Sequence, residues 1–156
     1  MMLIPLQRTT ERVFSAIPES LILLLARFAL AAVFWMSGQT KIEGFALNPF
    51  SGTYEFGWPS LKESTFFLFE YEYALPLIPA NIAAYMATTA EHILPILLLT
   101  GLLTRLSAFG ILMMTLVIQL FVYPSAYATH ATWGALALLL MYRGGGAVSI
   151  DQQLLK

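Results

Sequence analysis

The chain has 156 residues, of which 58% are hydrophobic and only 11% charged, and its formal net charge is -1. Soluble domains carry about 25% charged residues, so this composition indicates an integral membrane protein. The chain lacks basic runs and glycine-rich phosphate loops, which excludes nucleic acid as a partner. It also lacks cysteine, which excludes disulfide exchange, iron-sulfur ligation and thiolate metal sites, and no metal site is predicted.

Four apolar blocks are long enough to cross a bilayer core of about 30 Å, which takes roughly 20 helical residues. They cover residues 20–38, 81–101, 107–123 and 125–142. We therefore predict an all-α fold in which residues 1–156 form a single domain, a transmembrane four-helix bundle. An arginine-containing stretch precedes the first block, as in a secretory signal, but the block is longer than a signal needs. No convincing small-residue cleavage site follows it, so a retained helix is favoured.

Basic residues in short loops favour the cytoplasmic side of a membrane. Those near the predicted helix ends are Arg8, Arg12, Arg105, Arg143 and Lys156. The long segment 41–79, between the first two helices, carries five glutamates against Lys41 and Lys62. We predict a multi-pass protein of the cell (inner) membrane with both termini in the cytoplasm and segment 41–79 outside.

Segment 41–79 is rich in aromatic residues, which prefer the membrane interface. Ser60 and Glu63 form a capping-box pattern, which predicts a short interfacial helix from about Leu61 to Tyr73. Two interpretations of the segment remain open. It is either an interfacial lid without a ligand or a docking surface for an extracytoplasmic protein.

Two opposite charges, Arg27 and Glu91, lie inside apolar runs, where an ionisable residue suggests a functional site. At 1.5 Å of rise per residue, Arg27 lies about 10 Å and Glu91 about 15 Å from the cytoplasmic helix ends. An extended arginine side chain spans this difference, which predicts an ion pair between the first two helices. The pair either fixes the helix register or provides a buried carboxylate that exchanges protons, so both residues are candidate catalytic residues.

Pro95 follows Glu91 by four residues and cannot donate the hydrogen bond that the Glu91 carbonyl would accept in a regular helix. Thr88, Glu91 and Pro95 fall on one helical face, which is either the wall of a polar pocket or a kink satisfied by a neighbouring helix.

Two histidines could suggest a haem held between the second and fourth helices. However, His92 lies about 16 Å and His130 about 7 Å below the outer helix ends, and axial ligands of one iron need similar depths. We predict instead an outward-facing polar cavity whose candidate cofactor-binding residues are His92, Gln119, His130 and Lys41.

Three groups of residues carry a resemblance to a known family. They are Arg27, Ser37, Gly38 and Lys41 in the first helix, then Glu91, Pro95 and the run Gly101–Arg105, and finally Arg143, Gly144, Ser149 and Asp151. In these residues the chain resembles the DoxX family of small four-helix membrane proteins, from about Leu21 to Asp151. The long aromatic segment 41–79 and Pro95 depart from the family pattern.

The resemblance implies a link to redox membranes, because the family takes its name from a subunit of an archaeal thiosulfate:quinone oxidoreductase. The sequence contains no evident electron carrier of its own, which favours a non-catalytic accessory or anchor subunit of a quinone-linked system over an enzyme. Its partners would be the lipid bilayer, a membrane or extracytoplasmic protein, and a second copy of the chain. It would hold no intrinsic cofactor, with quinone as the one candidate ligand.

Two alternatives remain. One is a quinone-reactive oxidoreductase subunit in which Glu91 accepts a quinol proton. The other is a small transporter or lipid-binding protein, which the lack of an internal repeat disfavours.

Overall fold

Helices make up most of residues 3–154, the part of the chain that the computed structural model describes. The α-helices are α1 (Leu3–Phe14), α2 (Glu19–Lys41), α3 (Glu63–Phe67), α4 (Ala80–Thr100), α5 (Thr104–Val117), α6 (Tyr127–Arg143) and α7 (Ile150–Leu154). Two of them continue as π-helical turns, α3 through Leu68–Tyr73 and α5 through Ile118–Val122. Helix α1 was not predicted. Lys156, which the orientation prediction uses, lies outside the described residues.

Three helices in the described part of the chain are long and apolar enough to cross a membrane: Glu19–Lys41, Ala80–Thr100 and Thr104–Val122. Helix α6, with 17 residues, is slightly shorter. The exposed surfaces of these helices are themselves apolar, with side chains such as Leu25, Ile93 and Leu116 facing outward. Such a surface fits a helix surrounded by lipid.

Helices α2, α4, α5 and α6 pack side by side, α2 against α4 and α6, and α5 against α4 and α6. Their shared core includes Leu30, Phe34, Leu98, Ile111 and Leu140. We call the end where α2 stops and α4 starts the hairpin side. The opposite end, where α6 finishes, is the terminal side.

A β-hairpin follows α2 and corrects the all-α prediction. Strands β1 (Ile42–Asn48) and β2 (Thr53–Leu61) pair antiparallel, with a register irregularity between Glu43 and Phe45. The turn between them is held by the Asn48 side chain, whose Oδ1 accepts from the N–H groups of Phe50 and Ser51. The strands are rich in aromatic residues, which favour β-structure, and an Asx turn joins them.

Segment 63–73 is helical, but its start differs from the prediction. Ser60 lies in strand β2, and the residue before α3 is Lys62, with no side-chain cap. The carbonyl of Lys41 anchors this start instead, because it accepts from Lys62 N (3.0 Å) and from Thr65 Oγ1 (2.8 Å). The end of α2 therefore holds both the base of the hairpin and the beginning of α3.

Candidate functional site

Glu91, in the middle of α4, pairs with Lys41 at the end of α2. Lys41 Nζ lies 2.8 Å from Oε2 and 3.0 Å from Oε1, and both side chains are 5% exposed. Ser37, one turn before Lys41, donates its hydroxyl to Glu91 Oε1 at 2.9 Å. A buried ion pair of this kind needs such extra hydrogen bonds to offset desolvation.

Gly38 allows the two helices to approach closely at this pair. A Cβ added at Gly38 would lie 2.8 Å from His92 Cε1 and 3.1 Å from Glu91 Cβ. Any other residue would therefore have to push α4 away. The absence of a side chain at Gly38 therefore allows the Lys41–Glu91 contact.

This arrangement corrects the predicted Arg27–Glu91 pair. Side chains on a helix tilt toward its N-terminus, and α2 and α4 run in opposite directions. Arg27 therefore leans toward the terminal side, whereas Glu91 leans toward the hairpin side and meets Lys41, which leans back along α2. The predicted membrane-spanning block ended at residue 38, and Lys41 was assigned to segment 41–79 outside the membrane.

Arg27 instead binds four backbone carbonyls on the terminal side. Its Nε donates to Leu98 O (2.7 Å) and its Nη2 to Leu99 O (2.6 Å), at the end of α4. Its Nη1 donates to Gly145 O (3.0 Å) and Val148 O (2.6 Å), in the segment after α6. Because carbonyls at a helix C-terminus lack partners within the helix, a cation there is stabilising. Arg27 thus fastens the segment after α6 to the end of α4.

Asp151 completes this terminal-side junction. Its carboxylate accepts from Leu103 N (2.7 Å) and Thr104 N (2.8 Å), at the start of α5. Burial alone would raise the pKa of Asp151, but these hydrogen bonds and the nearby Arg27 charge outweigh it and lower the pKa. Neither Arg27 nor Asp151 lines the cavity described below.

His92 belongs to a directed hydrogen-bond chain that leads to the hairpin. Leu47 N donates to Gln39 Oε1 (2.7 Å), so the Gln39 amide nitrogen faces His92 Nε2 at 3.0 Å. His92 Nδ1 lies 2.7 Å from the carbonyl of Thr88, which can only accept. These partners assign the proton to Nδ1 and make Nε2 the acceptor. His92 therefore links α4 to strand β1 and does not line the cavity described below.

His130, in α6, is held differently. Its Nδ1 lies 2.7 Å from Gln119 Oε1, and the Gln119 amide donates to Pro124 O at 2.8 Å. This places the proton on Nδ1 and leaves Nε2 as an acceptor, with no hydrogen bond to it within residues 3–154. The two histidines thus belong to separate series of hydrogen bonds. Gln119 positions His130 without lining the cavity.

A largely apolar cavity of about 360 Å³ lies between the helices on the hairpin side. Two of the predicted polar residues, Lys41 and His130, line it together with Glu91 and Ser37, whereas most of the remaining wall is aliphatic or aromatic. The predicted polar cavity is therefore an apolar one with a few polar groups. Pocket walls of this composition, in a volume of about 300–1,000 Å³, are typical of small-molecule sites.

Two tyrosines that the sequence analysis did not single out cover the hairpin side of this cavity. Tyr73 and Tyr123 both line it and pack edge to face, and Tyr123 donates its hydroxyl to Glu72 Oε1 at 2.5 Å. Burial, together with Tyr123 and the nearby glutamates, raises the pKa of Tyr73 above its usual value. The hydrogen bond to Glu72 raises the pKa of Tyr123. Both phenols therefore remain protonated donors at neutral pH.

Pro95 lies on the buried face of α4 together with Thr88 and Glu91, and the helix continues through it to Thr100. Of these three residues only Glu91 lines the cavity, so the pocket-wall interpretation does not hold for Thr88 or Pro95.

Comparison with known proteins identifies the family. The DoxX family model matches residues 22–124, about two thirds of the chain. This match includes Arg27, Lys41, Glu91 and Gln119 and stops before His130, so it is shorter than the resemblance noted in the sequence. No curated protein and no solved structure matches the chain. With its three apolar helices of membrane-spanning length, the chain belongs to the DoxX family of membrane proteins.

Proposed function

We propose that this protein is the membrane subunit of a quinone-linked redox system and that its cavity binds the quinone headgroup. The observation that carries the proposal is the apolar cavity of about 360 Å³ with a buried ion pair on its wall. Stability alone is a poor explanation for such a pair, since apolar residues of similar volume often replace a buried ion pair at no cost in stability. A buried pair on a cavity wall therefore suggests a role in binding a ligand.

The residues present fit a quinone. Its ring would lie among aromatic and aliphatic side chains such as Phe34 and Trp133, and its oxygens need hydrogen-bond donors that Lys41 and the Tyr73 hydroxyl can supply. A quinone takes up two electrons and two protons when it is reduced to the quinol, and the quinol releases them when it is oxidised. Glu91 and the free Nε2 of His130 are the acceptors that could exchange those protons.

An accessory role fits the rest of the chain. The sequence has no cysteine, and electrons would come from a partner protein outside the bundle. Strand β2 exposes Tyr54, Phe56 and Trp58, the last at 90%, which suits a docking or interfacial surface. In this arrangement α6 is the fourth membrane helix and residues 3–154 form one domain. Helix α3 lies at the interface, and a second copy of the chain is a further possible partner.

Orientation follows from charge. Arg105 and Arg143 lie at the terminal side, whereas the glutamates of segment 42–79 lie at the hairpin side. Because basic loops prefer the cytoplasm, we place the termini on the cytoplasmic side of the inner membrane and the hairpin on its outer side.

Tryptophan fluorescence tests the proposal, because Trp133 lines the cavity and quinones quench indole emission. A parent variant with Trp35→Phe and Trp58→Phe leaves Trp133 as the only tryptophan. In nanodiscs, a short-chain quinone should quench Trp133 saturably. Glu91→Gln and His130→Phe should each weaken binding about tenfold or more, the loss that about 1.4 kcal/mol represents.

The matched control is Glu70→Gln, which removes an exposed carboxylate outside the cavity. This variant should bind as the parent does. Native mass spectrometry of the protein extracted from its own membranes identifies any partner protein that stays bound to it. Non-saturable quenching, or equal binding by the Glu91→Gln, His130→Phe and parent proteins, would refute a quinone site, and a retained phospholipid would favour the lipid-binding alternative.

A further inference from the structure

The seam between α4 and α5 is tight at one end and open at the other. On the terminal side a short turn joins the two helices, and a Cβ at Gly110 would lie 3.0 Å from Leu94 Cδ1. Toward the hairpin side, Met113 and Val117 follow Gly110 at three and seven residues, so they lie on the same face of α5. On the hairpin side of the Gly110–Leu94 contact, this face of α5 therefore lines the cavity.

The residues on this open part of the seam belong to the cavity and to the outer surface at once. Met86 and Ala90 of α4 and Met113 and Val117 of α5 all line the cavity. Yet Met86 is 58% exposed, Met113 46% and Val117 37%. Met86 and Met113 are the most exposed of the residues that line the cavity, so the cavity comes closest to the surface at this seam.

The other sides of the cavity expose less of their lining, since Val33 of α2 and Ile78 are each 37% exposed and Tyr123 is 41% exposed. On α6 the lining residues are His130, which is buried, and Trp133, which is half-buried. Toward the hairpin side, Phe69 and Tyr73 cover it, and the Tyr123–Glu72 hydrogen bond holds that cover in place. The α4–α5 seam, flanked by exposed apolar residues such as Ile93 and Leu116, opens into hydrocarbon if the helices span the membrane.

We propose that the ligand enters this cavity from the bilayer between α4 and α5 and leaves its tail there. This inference rests on the proposed function, and it specifies the ligand as a long-tailed lipid quinone. A cavity of about 360 Å³ is near the lower end of ligand sites, about 300 Å³, so it accommodates a headgroup while a long tail remains outside. Lys41 and Glu91 contact the headgroup, and Met86 of α4 and Val117 of α5 contact the tail.

Blocking the seam tests this route. In the parent with Trp133 alone, Ala90→Phe with Val117→Phe fills the opening, whereas Thr89→Phe with Leu116→Phe adds the same rings at neighbouring exposed positions that do not line the cavity. Binding of a short-chain quinone and of one with a long isoprenoid tail is measured in nanodiscs by Trp133 quenching. A normal thermal unfolding profile confirms that each variant folds.

The seam variant should lose at least tenfold more affinity for the long-tailed quinone than for the short-chain one. The control should bind both as the parent does. Unchanged long-tail binding by the seam variant, or an equal loss for both quinones, would overturn the lateral route alone. Failure of the parent to bind either quinone would overturn the proposed function, and this assignment with it.

Discussion

The Lys41–Glu91 pair makes a quantitative prediction about stability. Lys41→Met leaves the Glu91 carboxylate buried at 4% exposure, with the Ser37 hydroxyl as its hydrogen-bond donor in the described residues. Breaking a buried pair by removing one partner costs about 3–5 kcal/mol, because an uncompensated charge remains. Replacing both charges by apolar residues removes that charge, so Lys41→Met with Glu91→Leu should cost less than Lys41→Met alone.

A second double-mutant cycle with Arg27 is the matched control. Arg27 contacts carbonyls at the far end of α4, so Arg27→Met and Glu91→Leu should have additive effects within about 0.5 kcal/mol. The free energy of unfolding is measured for all variants by reversible SDS titration in mixed micelles. Additive losses for Lys41 and Glu91, combined with strong coupling between Arg27 and Glu91, would show that the pairing described above is wrong.

Three further predictions concern the terminal side. Arg27→Lys loses the planar group that reaches four carbonyls and should increase hydrogen exchange in segment 144–154, since a bond to a charged group contributes about 1.5–3 kcal/mol; unchanged protection would contradict the fastening role. Asp151 has a lowered pKa in the folded state, so its stabilisation is present above its unfolded pKa of about 3.9 and is lost as the pH falls through the folded value. Acid titration of stability should therefore flatten in Asp151→Asn, and identical profiles would refute this. Gly101→Ala, where φ is 73° and a Cβ would lie 2.5 Å from Ser149 Cβ, should destabilise more than Gly52→Ala, where φ is 69° and no atom lies within 4 Å; equal melting temperatures would contradict the steric argument.

Hydropathy alone predicts the apolar helices, because long apolar blocks leave few other structures that satisfy the backbone in lipid. It does not predict the hairpin, because the aromatic content of segment 42–61 indicates the membrane interface without indicating strands. The turn Asn48–Gly52 between two aromatic stretches was the available signal.

The pairing error has a different origin. Depth along the helix axis placed Arg27 near Glu91, but side-chain direction, which also follows from sequence once helix orientation is known, separates them. The extent of α2 decided the partner, since three further helical residues bring Lys41 into the core. The cavity depends on how several helices pack against one another, and such tertiary geometry has no periodic signature in the sequence.

Lys41 joins two parts of the molecule through different atoms, its ammonium to Glu91 and its carbonyl to Lys62 and Thr65. Inserted residues would therefore disrupt this junction. They would be tolerated at the far end of the hairpin, where a Cβ at Gly52 would meet no neighbouring atom. An epitope inserted at Gly52 would extend the turn, whereas a single residue inserted after Lys41 would invert the facing of every side chain in β1. The hairpin tip is thus the natural place to attach a reporter that shows which side of the membrane the hairpin faces.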